Sequence, residues 1–246
     1  MNTKSEYDAM FSTVIGQDYD MLQLICPAAT EMSRLVGVAV GAYQTAEARV
    51  QITELGGGTG ITTLAILAAR QTAQVYSVDN EPVMQNQAKQ RLQRWQDEGR
   101  LSFSGDDALT ALVQLPDNSQ DIVASAYTLH NFSGAYRQHV LQEIFRVLKP
   151  HGQFINGDRY ALDDIVEHTR TVQEEISHYF KVLAPLNRID LLEQWLVHLF
   201  NDESENHIMR LAVAKQQMQA AGFADIQEHH RHAVNALVTA VKPWVV

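Results

Sequence analysis

One stretch of this chain constrains its fold more than any other: Val50-Gln51-Ile52-Thr53-Glu54-Leu55-Gly56-Gly57-Gly58-Thr59-Gly60, followed by Val75-Tyr76-Ser77-Val78-Asp79-Asn80. A β-rich apolar run ends in an acid, passes through glycines and opens into the helical pattern from Thr62 to Arg70. A second apolar run then delivers Asp79. Glycines let the backbone turn tightly and approach a ligand, and an acid at the end of the next strand can accept hydrogen bonds from ribose hydroxyls. Strand, glycine turn, helix, strand and acid, in that order, describe a nucleoside-cofactor site at the edge of an α/β sheet.

Spacing narrows the cofactor. The dinucleotide fingerprint places glycine at its first, third and sixth positions, the last for close helix–strand packing. Here glycines stand at 56, 58 and 60, and the sixth position is Ile61. A P-loop is excluded too, because no Lys-Ser or Lys-Thr pair follows the glycines. Glu54, just before the turn, is placed to order it.

The remaining chain frames this site. With 246 residues and 46% hydrophobic content it can bury a full core as one domain, with or without a cap. No apolar run reaches the length of a membrane span, and Met1 to Asp8 lacks a signal peptide's apolar core. The single cysteine, Cys26, excludes intrachain disulfides and cysteine metal clusters, and a cytoplasmic location is expected. A formal charge of −10 argues against a large nucleic-acid surface. The expected partner is therefore a small-molecule substrate, with no nucleic acid and no membrane, and a homodimer left open.

Helical periodicity runs from about Tyr19 to Val40, with Pro27 ending one helix at Cys26 and starting the next. Strands are expected at 74–79, 101–104, 121–127 and 153–158, with helices between them and Lys149-Pro150-His151-Gly152 as the stop before the last. Strict alternation implies a doubly wound, mostly parallel sheet. From about Leu162 to Ala221 only amphipathic helix patterns appear, then two strands at 225–232 and 236–241. The expected organisation is one domain: N-terminal helices over 1–47, a cofactor-binding core over 48–160, a helical cap over 161–221 and a final β-hairpin over 222–246.

The set Glu54 to Gly60, Val78-Asp79-Asn80, Gly105-Asp106-Asp107-Ala108, Asp121-Ile122-Val123, Arg146 to Gly152 and Ala221-Gly222-Phe223 is similar to the class I S-adenosylmethionine (SAM) methyltransferases. His151 departs from it, where a second glycine is common. The resemblance implies a Rossmann-like α/β fold and an enzyme that turns SAM into S-adenosylhomocysteine. It implies that Gly56 and Gly58 lie against the methionine part and that Asp79, with Asn80 beside it, holds the ribose. Asp106 and the backbone of Asp107 would meet the adenine, with a helix cap at Ala108 as the plainer role. Ala126 and Tyr127 would pass beneath the sulfonium, and Glu54 would order the turn. The layout also resembles the carboxy-SAM synthases of tRNA wobble-uridine modification, which would set Tyr19 against the cofactor. That subgroup's arginine before Ala-Gly-Phe is Gln217 here, and Arg210 lies two helical turns away. A SAM-binding protein without catalysis is the third reading.

Methyl transfer needs alignment in a dry pocket, and a base only when the nucleophile must lose a proton. His130, directly after the fourth strand, is the candidate catalytic base, histidine being suited to accept a proton from a phenol or acid-stabilised carbon. Arg159 and Tyr160 border the same mouth, and His178 and Tyr179 of the cap are candidates for the acceptor pocket. In His229-His230-Arg231-His232 only His230 and His232 share a strand face, so no metal site is expected.

Overall fold

The computed structural model describes residues 22–244. Residues 22–25 are helical, and α1 (Pro27–Ala42) follows. Pro27 stands in the first turn of α1, where its missing N–H removes no helical bond. Then come β1 (Val50–Leu55), α2 (Ile61–Ala69), β2 (Ala73–Val78), α3 (Pro82–Arg91), α4 (Gln93–Asp97), β3 (Leu101–Ser104) and α5 (Ala108–Val113). They are followed by β4 (Gln120–Ala126), a 3₁₀ turn at Leu129–Asn131, α6 (Gly134–Val147), β5 (Leu148–Arg159), α7 (Ile165–Leu183), α8 (Ile189–Asp202), α9 (Leu211–Ala221), β6 (Ala224–His232) and β7 (Asn235–Val241).

The seven strands form one sheet in the order β3-β2-β1-β4-β5-β7-β6. Strands β1 to β5 pair in parallel, and β7 runs antiparallel to β5 and β6. All seven positions of β4 are buried, as expected for a central parallel strand with both faces covered. One core layer joins the sheet to α1 and α2 through Val36, Val40, Ile52, Leu64 and Ile122. The opposite layer joins it to α5, α6 and α9 through Leu112, Leu141, Ile144, Phe154 and Met218. Strand order reverses between β1 and β4, and the crevice beyond their carboxyl ends is where such sheets take ligands.

Two boundaries differ from the sequence reading. β5 begins at Leu148 rather than 153, because Leu148 pairs with Gln120 before a register shift. The expected stop at 149–152 is thus an irregularity within the strand, with His151 at φ 66. The block 161–221 also divides. α7 and α8 build a small apolar cluster of their own with Ile25, through Tyr179, Leu183, Leu192 and Leu199. α9 instead buries Leu211, Ala214 and Met218 in the α6 layer of the core. Among the described residues no helix is long and apolar enough to cross a membrane.

α1 packs closely on α2 at Gly37, where an added Cβ would lie 2.7 Å from the backbone oxygen of Ala65. Backbone there cannot yield as a side chain does, so Gly37→Ala should destabilise the fold by ~1–3 kcal/mol in urea unfolding, despite alanine's better helix propensity. Equal or higher stability would show that α1 rides loosely on α2.

Candidate functional site

The glycine turn is fixed from behind. Gly56, Gly58 and Gly60 all have positive φ, at 72, 53 and 96°. A Cβ at Gly56 would fall 1.9 Å from the hydroxyl oxygen of Thr128, so the turn sits directly against the segment leaving β4. Glu54 is fully buried beneath the turn, accepts from the Thr63 hydroxyl at 2.6 Å and has no partner for Oε1. Burial drives its carboxyl up to about 7, against the pull of Thr63 and Ser77. Glu54 is tied to α2 through Thr63 and does not line the cavity in front of the turn.

That cavity, of about 510 Å³, is lined by Gly56, Gly58, Asp79, Asn80, Asp106, Asp107, Tyr127 and Tyr136 among others. Asp79 accepts from the Gly58 N–H at 2.7 Å and the Glu81 N–H at 2.8 Å, so it ties the turn to the next loop. Each carboxylate oxygen keeps a second acceptor direction for a ribose hydroxyl. Asp106 accepts from the Ser104 hydroxyl at 2.8 Å. Asp107 is the N-cap of α5, taking the Leu109 and Thr110 N–H groups, the Thr110 hydroxyl and the Tyr136 hydroxyl. These bonds, the Thr110 hydroxyl first, hold its carboxyl near 2, while burial and Asp107 push Tyr136 up to about 12. Among the described residues the lining contains acids and no lysine or arginine.

A second cavity of about 300 Å³ lies under the cap, lined by Cys26, Met84, Tyr127, His130, Arg159, Glu175, Tyr179, Trp195, His198 and Asp202 among others. Met84 and Tyr127 belong to both cavities. Tyr127, at φ 51, ends the strand path; its hydroxyl donates to Asn235, and burial raises it well above the usual phenol range. Ala126, buried just before it, lines neither cavity.

His130 is buried and held by Asp158, which is fully buried at the end of β5. His130 Nδ1 meets Asp158 Oδ1 at 2.6 Å, and the carboxylate also accepts from the Leu129 N–H at 2.9 Å and the Arg159 N–H at 2.8 Å. Burial would raise this carboxyl, but the charge and hydrogen bond of His130 keep it below the ordinary range. An ionised carboxylate only accepts, so Nδ1 carries the proton and Nε2 points onward. Nε2 lies 3.7 Å from Asp202 Oδ2, and His198 Nε2 lies 3.6 Å from the same oxygen.

The other acceptor candidates separate. Arg159 lines the His130 cavity, but its guanidinium is bound to both oxygens of Glu175 and to Glu203. Burial works against its charge, and those two acids more than offset this. Tyr160, directly after β5, lines neither cavity: it is fully buried in the core, where its hydroxyl accepts from Asn156 at 2.7 Å. Tyr179 lines the cavity, whereas His178 faces a neighbouring space of about 490 Å³ between α7, α1 and the β6–β7 turn. Tyr19 lies outside the described residues. His198, Asp202, Glu175 and Trp195 escaped the sequence reading; the only signal was His198 and Asp202 spaced to share one face of α8.

Residues 53–156 match the family model described as a methyltransferase domain. The chain is 34% identical to a demethylmenaquinone methyltransferase of Leptospira interrogans over 44% of its length, and that match spans 43% of the relative. It is 24% identical to a carboxy-SAM synthase of Hydrogenovibrio crunogenus over 81% of this chain and 78% of that one. Human N-acetylserotonin methyltransferase, solved in complex with SAM, superposes with a TM-score of 0.57 at 16% identity, over 98% of this chain and 57% of that one. The sheet order and glycine turn define a Rossmann-like class I fold. Residues 53–156 thus carry the likeness to a methyltransferase domain, and SAM is the ligand bound in the human neighbour's structure.

The residues present fit SAM: glycines where a side chain would obstruct, Asp79 and Asp106 on the cavity wall, and an acidic lining toward a cation. The buried acid beneath the turn has a measurable cost. Glu54's folded range lies above its ordinary 4.5, so its contribution is fully present below that pH and is lost as pH rises through about 7. Glu54→Gln removes this titration, and the variant should gain roughly 3 kcal/mol on the parent between pH 4.5 and 8.5 in urea unfolding. Parallel stability curves for the two proteins would mean that Glu54 is ionised without penalty.

Proposed function

We propose that this chain transfers the methyl group of SAM to a neutral, ring-bearing small molecule held under the cap, at a hydroxyl or comparable nucleophile. The observation that carries this reading is the shared wall of the two cavities, Tyr127 and Met84, with His130 on the far side. SAM supplies an electrophilic methyl on a sulfonium. The protein's task is alignment and exclusion of water. Asp79 and the glycine turn hold the cofactor; Tyr127, Tyr179 and Trp195 shape a slot for a flat acceptor; and His130, fixed by Asp158, acts on the acceptor's nucleophile. A neutral acceptor fits because Arg159, the one lysine or arginine among the lining residues, is already paired. The buried single thiol Cys26 is in keeping with a cytoplasmic setting.

The match to a carboxy-SAM synthase favours a second reading, in which SAM itself is modified. A carboxylated cofactor needs a cation beside it. Gln217 of α9 lines a space shared with Gln138 and Gln142 of α6, and Arg210 donates to the Leu162 carbonyl; neither lines the cofactor cavity. Mass analysis separates the readings: S-adenosylhomocysteine with a methylated acceptor, a heavier SAM, or binding without turnover.

Asp79→Ala should weaken SAM binding by about 1–3 kcal/mol in calorimetry, through lost ribose bonds and a loosened turn. Unchanged affinity would remove the ribose role. With a panel of neutral phenols as acceptors, His130→Ala should lower kcat by roughly 10²-fold or more while SAM affinity stays within about twofold. Turnover like the parent's on every active phenol would reduce His130 to a packing residue.

A further inference from the structure

We propose that His130, His198 and Asp202 bind one divalent transition-metal ion of the zinc class at the wall of the acceptor cavity. The three side chains come from two places distant in sequence, the 3₁₀ turn after β4 and one face of α8. Their ligand atoms all lie within 4.8 Å of one another. Two imidazoles and one carboxylate form a donor set that holds zinc and similar ions in sites with an open position. Donors around such an ion, each about 2.0–2.2 Å from it, stand roughly 3.3 Å apart in tetrahedral geometry. The 3.6 and 3.7 Å gaps to Asp202 Oδ2 close to that spacing with small side-chain rotations.

Three further observations favour an ion over a plain polar cluster. Neither histidine is within hydrogen-bond distance of Asp202, and Asp202 Oδ1 has no partner among the described residues, although the residue is only 6% exposed. Leaving a buried carboxylate without donors is costly, and a shared cation removes that cost. Second, Asp158 fixes the far nitrogen of His130, the carboxylate–histidine arrangement that aims and strengthens a metal-binding imidazole. Third, the side chain of His198 is half exposed, so the site has a path for the ion to enter. The sequence reading expected no metal because it weighed only histidines adjacent in the chain. Those at 229–232 lie on an exposed strand, where His229 is bound to Thr239.

The ion's place beside the acceptor rests on the methyl-transfer reading; its binding does not. In that setting His130 acts through the ion rather than taking the proton itself: a hydroxide on the ion takes the proton of the acceptor hydroxyl and leaves as water. The acceptor oxygen takes its position on the ion. Its bond to the methyl carbon then forms as the carbon–sulfur bond breaks, leaving neutral S-adenosylhomocysteine.

The test uses the full chain, stripped with EDTA and dialysed, then titrated with Zn(II) by calorimetry and with Co(II) by visible absorption. The parent should take up one equivalent and develop a Co(II) ligand-field band. His198→Ala, at a half-exposed position, should lose at least tenfold in affinity while its SAM affinity and thermal midpoint stay unchanged; Asp202→Asn should lose as much. The double substitution of His230 and His232 by alanine should bind like the parent. Failure of the parent to bind Zn(II), or undiminished binding by both the His198 and Asp202 variants, overturns the site. Methyl transfer that proceeds fully in EDTA removes the ion's catalytic role and leaves the function standing. Stoichiometric Zn(II) with no turnover on any phenol does the reverse.

Discussion

The cavity beneath α7 and α8 depends on one buried carboxylate, Asp158. It sits at the end of β5 without exposure and binds three groups at once: the Leu129 N–H and the ring of His130 in the 3₁₀ turn, and its own neighbour's N–H at Arg159. A charge in such a place is sustained only by full hydrogen-bond satisfaction and an opposite partner. Satisfying it forces the chain after β4 to fold back against β5, which brings His130 into the space beneath the cap. The position of His130 is thus a consequence of where Asp158 must find its donors.

The cofactor side follows a similar rule with a different buried acid. Glu54 has one bonded oxygen and one orphan, and burial lifts its carboxyl to about 7. In front of it lies a turn with three left-handed glycines, Gly56 flush against Thr128. Strain and unpaired polarity concentrate where a backbone has to meet a ligand. The core layers on either side, with β4 buried along its length, supply the stability that this arrangement spends.

These physics explain which parts were readable in the sequence. Period-two and period-3.6 patterns report burial on one face, so the alternating core and its five parallel strands were visible. Glycines and Asp79 were visible because their roles follow from local backbone geometry. β5 was misjudged at its start because strand membership at Leu148 comes from pairing with Gln120, far away in sequence. α9 looked like the cap helices because amphipathicity does not say which layer a helix joins. Tyr160 and Arg159 are neighbours in the chain, yet one is buried in the core and the other lines the cavity. His198 and Asp202 gain meaning only when α8 docks against the turn that carries His130.

That docking is itself electrostatic. Arg159, at the end of β5, is gripped by Glu175 of α7 and by Glu203 just past α8, and Glu203 in turn meets His168 at 2.6 Å. The segment behind α8 returns to the core through bonds from Arg137 to the His207 carbonyl and from Gly134 to the Asn206 carbonyl. A cap with a small apolar cluster of its own is therefore located on the core chiefly by ion pairs and backbone bonds. Such contacts hold direction more strictly than apolar packing, because a carboxylate fork fits a guanidinium in few orientations. The same pairs that neutralise Arg159 set the angle of α8, and with it the distance from Asp202 and His198 to His130. The cavity under α8, the cluster of His130, His198 and Asp202, and the placement of α7 and α8 are one geometric problem, solved at the end of β5.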